Sequence, residues 1–317
     1  MPEIIAELCQ NHLGSKSILD EMIAAAAESG ADYAKIQSML STTELTYRER
    51  FEDGLIEGKR VRIIKRPFND EYNRLKKLDL SNKDHFFFLE RCKKYKIKPL
   101  TTIFTKSRLK FLSSLKMKDI KISSWDCGSH SLINKVSRSN FSRILVSTGA
   151  TFDREIEKTA TILKNSKKKF CLLHCVSIYP TPLIESHLNR LRFLKKLSKE
   201  IGISDHTNYD KDGPKLSVCA VALGASIVEK HFTILEKNKT KDGIVSANPK
   251  QLKELVKLCK QKKRDINLYI KKNIPEALIM KGKEFRELTD IELLNRDYYQ
   301  GRFSGKIKDS KRIFNWE

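Results

Sequence analysis

The run IVEKHF, residues 227–232, begins with β-branched residues as a strand does and then sets Glu229, Lys230 and His231 side by side. Successive side chains of a strand face opposite ways, so Glu229 and His231 share one face and Lys230 points away. The same spacing recurs in IGISDHT (201–207), with Ser204 and His206 two apart, and in ADYAKIQ (31–37), with Lys35 and Gln37. Glu7 ends another apolar run, and Thr102, Lys121, Ser124, Ser147 and His174 stand near the ends of others. One strand-end serine reads as a cap and one histidine as a satisfied core or surface residue; it is the coincidence over many strand ends that points to chemistry. A buried lysine loses hydration unless an anion meets it, so Lys35 and Lys121, with the Ser and Thr hydroxyls, suit a phosphate and a carboxylate. Two neutral imidazoles, His206 and His231, near the Glu7 carboxylate suit a divalent metal with positions left for water and substrate. Glu229 can serve as ligand, orienting group or acid/base. Metal on one side and an oxyanion cradle on the other point to a phosphorylated acid reacting with a metal-polarised carbonyl.

These side chains must be positioned by elements that alternate in type. Strands are expected at 3–9, 31–37, 98–104, 119–124, 143–149, 169–175, 201–207 and 226–232, each followed by a segment of helical period. Ser15 and Ser81 read as N-caps, Asp153 as another, Gly30 as a C-cap, and Pro249 falls in a first turn. The phenylalanines of SNKDHFFFLERCKKY read as core. Eight such units give an α/β fold, a (β/α)₈ TIM barrel, whose active site lies at the C-terminal ends of the strands. A doubly wound sheet competes, but its Gly-rich first turn is missing from CQNHLGS. In a closed barrel the eighth strand lies between the seventh and the first, which brings His206, His231 and Glu7 to neighbouring strand ends. The barrel is expected over residues 1–270, and residues 271–317, where the alternation is lost, as a short C-terminal extension packed on it.

Composition narrows the class. The chain has 317 residues, 40% of them hydrophobic, enough to bury a substantial core. No apolar run is long enough for a membrane helix and the N-terminus lacks the features of a signal peptide, so a cytoplasmic protein with no membrane partner is expected. Seven irregularly spaced cysteines form no disulfide framework, Cys171 and Cys175 being the one close pair. The net charge of +23 raises nucleic acid as a partner, but the lysines are scattered through almost every helix, and no nucleic-acid module accompanies them. A basic surface around a pocket for an anionic metabolite is expected instead.

The motifs IAELCQNHLGS, ADYAKIQ, DIKISSWD, LVSTGA, LLHCVSIYPTP, ISDHT and IVEKHFT stand in this order over roughly residues 3–260. In content and order the chain resembles the N-acetylneuraminate (sialic acid) synthase family, which condenses phosphoenolpyruvate with an N-acetylated amino sugar. The resemblance implies a barrel, a metal-dependent aldol-like condensation and C–O cleavage of phosphoenolpyruvate, the work of a C–C bond-forming transferase. It implies that His206 and His231 bind Mn²⁺ or Mg²⁺ and that Glu7 is the acid/base. Lys35, Thr102, Lys121, Ser124, Ser147 and Ser204 fall where the family holds phosphoenolpyruvate, and Gln37, Ser177, Tyr179 and Asp242 where it holds the sugar.

Three departures bear on what transfers. Family members commonly end in an antifreeze-like domain that lends an arginine to the partner subunit's sugar site, and this chain is expected to be too short to carry that fold complete. Either a substitute from the tail (Arg296 or Arg302) or a separate antifreeze-like protein would then complete the site, and a homodimer is a further expected partner state. Some members have Asn at the position of Ser177, and the common GPD of the last loop reads TKD before Gly243. Two other readings remain open at this stage. One is a related phosphoenolpyruvate-dependent synthase acting on a phosphorylated aldose, with GKRVRIIKR (58–66) as a second phosphate site or merely a solvated basic loop. The other is an inactive barrel that only binds its ligands. The acceptor could be N-acetylmannosamine or a bacterial 2,4-diacetamido-trideoxyhexose.

Overall fold

The computed structural model describes residues 1–46, 56–57, 60–61, 68–306 and 312–317. Eight parallel strands close into a barrel in sequence order: β1 (Glu3–Cys9), β2 (Tyr33–Ser38), β3 (Lys98–Ile103), β4 (Asp119–Ile122), β5 (Arg143–Ser147), β6 (Lys169–His174), β7 (Glu200–Asp205) and β8 (Ile227–His231), with β8 pairing back to β1. Helices follow them, α1 (Lys16–Glu28), α2 (Asn82–Lys94), α3 (Leu109–Ser114), α4 (His130–Ser137), α5 (Asp153–Asn165), α6 (Arg190–Leu197), α7 (Lys215–Ala222) and α8 (Pro249–Cys259). The expected (β/α)₈ TIM barrel is the observed fold. The strands stop one or two residues short of several expected ends, because there the chain turns into the loops that carry the site.

The local signals act as their chemistry requires. The Ser15 hydroxyl accepts from Ile18 N, Ser81 forms a capping box with Asp84, and Asn248 caps α8 with Pro249 in its first turn. Gly30 takes a left-handed φ of +85° just past α1. Asp153 differs from the expectation: it is the first residue of α5 rather than its cap, and Glu155 reaches back to Phe152 N instead. The phenylalanine run also divides, since three consecutive positions on a helix cannot share a face. Phe88 is buried in the core, whereas Phe86 is 57% exposed and meets Phe111 edge-on.

Two apolar layers hold the barrel. The larger lies between strands and helices; the smaller fills the barrel itself, with Ile5, Tyr33, Leu100, Leu145, Leu173 and Ile227. At the N-terminal end Tyr33 Oη donates to Asp119 and Arg143 pairs with Asp119 and Glu3, closing the floor of the barrel. Beyond the barrel, a helix α9 (Lys263–Asn273) runs across residue 270, and the remaining chain returns over the C-terminal face through α10 (Asp290–Tyr299). Backbone bonds tie it there, from Leu188 N to Met280 O, Ser304 N to Glu44 O and Leu132 N to Asn315 O. The basic insertion 58–66 lies outside the described residues except for Arg60–Val61, which pairs antiparallel with Ile56–Glu57.

Lys230 faces outward, as its parity requires, and is fully buried under α7. Its Nζ donates to Asp205 Oδ1 at 2.9 Å and to Thr207 O at 2.8 Å, and Asp205 also accepts from Ser217 and Thr207. Burial acts to raise the Asp205 pKa, but Lys230 and the hydroxyl donors outweigh it and hold the carboxyl below its usual value. The Lys230→Met substitution leaves this carboxylate without its cation, and a loss of about 3–5 kcal/mol in urea unfolding is expected at neutral pH. Because the folded pKa of Asp205 is depressed, its contribution is present above the unfolded carboxyl value of about 4 and fades as pH falls through the folded value. A loss below about 1 kcal/mol at pH 7 would show that the pair adds little to stability.

Candidate active site

One period-two step above the barrel's inner apolar layer the side chains turn polar. Ile5 leads to Glu7, Tyr33 to Lys35 and Gln37, Leu100 to Thr102, Leu145 to Ser147, and Ile227 to Glu229 and His231. Register brings them level: Glu7 pairs with both Lys35 and His231, Thr102 with Lys121, and Glu229 with Ser204. They line a cavity of about 550 Å³ at the C-terminal mouth, a volume that suits a small metabolite pair. His174 leaves this ring, contrary to the sequence reading. The inward residue of β6 is Leu173, so His174 faces out and binds Ser186 O at 2.7 Å.

At the base of the cavity two lysines meet two glutamates. Lys121 Nζ reaches both oxygens of Glu229 at 2.7 Å. Lys35 pairs with Glu7, lies 3.5 Å from Glu229 and donates to Thr102 Oγ1. Burial and the neighbouring Lys121 push the Lys35 pKa down to about 7, with Glu229 opposing them. Burial would raise Glu229, but the two lysines and the Ser204 hydroxyl together drive it far below the carboxylate range. Glu229 is therefore a permanent anion. Of the roles open to it, its contacts fit holding the lysines in place better than donating a proton.

The two imidazoles stand beside this group, ring centres 5.4 Å apart. Burial pushes the His206 pKa down to about 4, so the ring is neutral. Its Nδ1 lies 3.1 Å from Val176 O, which can only accept, so the ring proton sits there. The Ser204 proton goes to Glu229 at 2.8 Å, which leaves the His206 Nε2 lone pair uncommitted. Burial and the adjacent His206 push the His231 pKa down further, and its Nδ1 is buried with no hydrogen-bond partner. Neutral rings with free lone pairs, one fixed by a backbone carbonyl, have the chemistry of a divalent-metal site. Cys9, which the sequence reading passed over as an apolar strand residue, belongs to the same corner. With His231 and Asp242 it presents ligand-type atoms within 4.8 Å of one another.

Loops supply the upper wall. Ser124 follows β4 in a short turn and accepts from Gly149 N; a side chain on Gly149 would strike Cys175, Ser177 and Ser124. Gln37 and Ser147 face the cavity, and Tyr179 packs its ring 4.3 Å from that of His206. Ser177 lies behind the wall, fully buried. Asp242 is held where Gly243 passes Lys237 O so closely that any Cβ would clash. The tail contributes as well: Tyr299 stacks on Trp125 at 4.4 Å, and Asn295 anchors to Ser177 O. Of the two tail arginines, Arg302 lines the cavity and pairs with Glu71, whereas Arg296 is turned to Ala150 O and Glu155. The approach of Tyr299 to Trp125 left no sequence signal, because 174 residues separate the two (299 − 125).

Both the sequence and the barrel are similar to known proteins. The NeuB family model matches residues 22–268. The chain is 32% identical to an N,N'-diacetyllegionaminic acid synthase of Campylobacter jejuni over 90% of its length and 87% of the relative's. It is 31% identical to a pseudaminic acid synthase of the same species over 99% of its length and 84% of the relative's. Among solved structures, an N-acetylneuraminic acid synthetase from Leptospira borgpetersenii, crystallised with citrate, superposes with a TM-score of 0.70 at 29% identity, covering 93% of this chain and 91% of that one.

The buried imidazoles set a pH expectation. Both folded pKa values lie below the unfolded value of about 6.5, so the unfolded chain binds more protons as pH drops through 6.5, and stability falls from there until the folded rings also titrate. In the metal-free protein, NMR titration should find His206 protonated only near its depressed value of about 4, and His231 protonated only well below the ordinary imidazole value. A ring titrating near 6.5 would show that it is hydrated and not part of this neutral pair.

Proposed function

The chain belongs to the NeuB family, and we propose that it condenses phosphoenolpyruvate with an N-acetylated amino sugar to give a sialic-acid-like nonulosonate and phosphate. The observation that carries the reading is the lysine–glutamate quartet, which faces two neutral imidazoles across one buried mouth. Lys35 and Lys121, with Thr102, Ser124, Ser147 and Ser204, suit the carboxylate and phosphate of phosphoenolpyruvate. Gln37, Tyr179 and Asp242 stand on the side where the sugar would lie, with Ser177 supporting the wall behind them. N-acetylmannosamine and a bacterial 2,4-diacetamido-trideoxyhexose are the acceptors to compare.

In this reading C3 of phosphoenolpyruvate attacks the aldehyde carbon of the open-chain sugar, and the aldehyde oxygen takes up a proton. Water adds at C2 of the resulting oxocarbenium and loses one proton; the C2 hydroxyl of this tetrahedral intermediate then gives up its proton to the departing phosphate as the C2–O bond to phosphate breaks, leaving the C2 ketone. A divalent ion, Mn²⁺ or Mg²⁺, held by His206 and His231 would supply Lewis acidity toward the aldehyde oxygen. Glu7, at the junction of Lys35 and His231, is placed to move a proton, and Lys35, depressed to about 7, can exchange one with it near neutral pH. Glu229 fixes both lysines, and Ser204 stays in register between it and His206. The tail closes over the sugar side within the same chain. No described helix is long and apolar enough to cross a membrane.

The test is phosphate release from phosphoenolpyruvate with Mn²⁺ and each sugar, with and without EDTA. Sugar-dependent release that EDTA abolishes is expected; release that ignores the sugar, or none with any acceptor, would sink the reading. Glu7→Gln and His231→Ala should each lower turnover a hundredfold or more, as an order of magnitude, with the fold intact. A near-normal rate in either variant would remove that residue from the mechanism.

A further inference from the structure

The end of β1 carries a thiol in an unusual place. Cys9 is buried at a register shift between β1 and β2, with a left-handed φ of +37° that glycine would adopt more easily. Its backbone N–H is held by Glu7 Oε1 at 2.7 Å, and its Sγ lies 3.3 Å from Asp242 Oδ2. Among the described residues, Cys9, His231 and Asp242 form the one group of three ligand-type side chains whose atoms lie within 4.8 Å of one another. Ligands on one ion, bound at about 2.0–2.3 Å, stand up to about 4.6 Å apart, so small side-chain rotations bring these three onto a common centre.

A second observation points to a ligand. His231 is 93% buried (7% exposed), and its Nδ1 has no hydrogen-bond partner, a condition that an ion at this corner or a metal-linked water would relieve. The corner is also braced from behind. Asn11 Nδ2 donates to Phe232 O and Ser246 Oγ, and Ser246 Oγ donates to Asp242 O, so the loop after β1 locks the loop after β8. By contrast Cys92, Cys127, Cys219 and Cys259 sit in the apolar core between strands and helices, and Cys175 meets Ser124.

We propose that Cys9 is a metal ligand, and that Cys9, His231 and Asp242 form a mixed thiolate–imidazole–carboxylate site for a divalent ion, with the free His206 lone pair alongside. The assignment deepens the reading above, in which this mouth holds a metal, and adds a soft ligand to it. As the sulfur–metal bond forms, the thiol proton leaves to solvent. A thiolate shifts preference away from Mg²⁺ toward Co²⁺, Zn²⁺ or Fe²⁺.

The test is titration of the metal-free full chain with Co²⁺, followed by its near-ultraviolet thiolate-to-metal charge-transfer absorption, with Zn²⁺ competition for affinity. Wild type and a Cys175→Ser control should show the band. Cys9→Ser and Cys9→Gly should lose it and bind Co²⁺ at least about tenfold more weakly. The glycine variant suits the left-handed backbone, so an unchanged melting temperature separates ligand loss from misfolding. Retention of band and affinity in both Cys9 variants, or Co²⁺ binding by wild type without the band, overturns the proposal. The readout needs no turnover: a band lost with Cys9 supports the thiol ligand even if no phosphate is released. Absence of the band beside EDTA-sensitive synthesis removes the ligand and leaves the synthase reading standing.

Discussion

Two buried cations and two buried anions at the mouth of a closed barrel must cancel one another, and the rest of the site is arranged around that requirement. Burial works against charge on Lys35 and on Glu229 alike; Glu229 opposes it at Lys35, and Lys121 and Lys35 together overcome it at Glu229. The result is a neutral group that is rich in fixed charge. Such a group can meet an incoming dianion with its lysines while its carboxylates are already held in place. The neighbouring imidazoles are kept neutral chiefly by their burial, with His206 also acting on His231; Glu229 favours a proton on both rings, and Lys35 opposes one on His231.

The barrel makes this arrangement possible by a simple alternation. A cluster of buried apolar side chains closes the interior below, and one step of two residues along the same strands brings the polar set into the space above. Even residues facing outward follow the rule. Lys230, between Glu229 and His231, leaves the site and forms a separate buried pair with Asp205, which braces β7 against β8 where His206 and His231 emerge. That pair shares two strands with the mouth and also acts on it, Lys230 disfavouring a proton on His206 and His231 and Asp205 favouring one on His206.

The C-terminal segment has a different relation to the site. It adds no strand to the barrel, yet Asn295, Tyr299, Arg302 and Asn315 help to line the cavity, and backbone bonds fasten the segment to the connections that follow β2, β4 and β6. The upper wall of the mouth is thus built in part by residues remote from the strands. Its stacked Tyr299 and Trp125 present an aromatic edge where the upper wall would otherwise be loop backbone.

Much of this was legible in the sequence because it depends on period and local chemistry. Alternation of eight strands with helical segments fixed the fold class, caps such as Ser15 and Ser81 and the first-turn Pro249 marked helix starts, and residues two apart on a strand shared a face. Where the reading missed, geometry beyond the local chain was responsible. His174 turned outward because parity is counted from the barrel interior, which only the closed sheet defines, and Phe86 was left exposed because a helix buries one stripe and not a run. Cys9 looked like one more apolar strand residue until the closure of β8 on β1 set it beside His231 and Asp242. The sequence by itself determined which side chains could carry charge, accept a proton or hold a metal, since those are properties of residue type and spacing. Only the tertiary structure decided which of them meet, because ion pairing and metal ligation fall off within a few ångströms and chain separation says nothing about such distances.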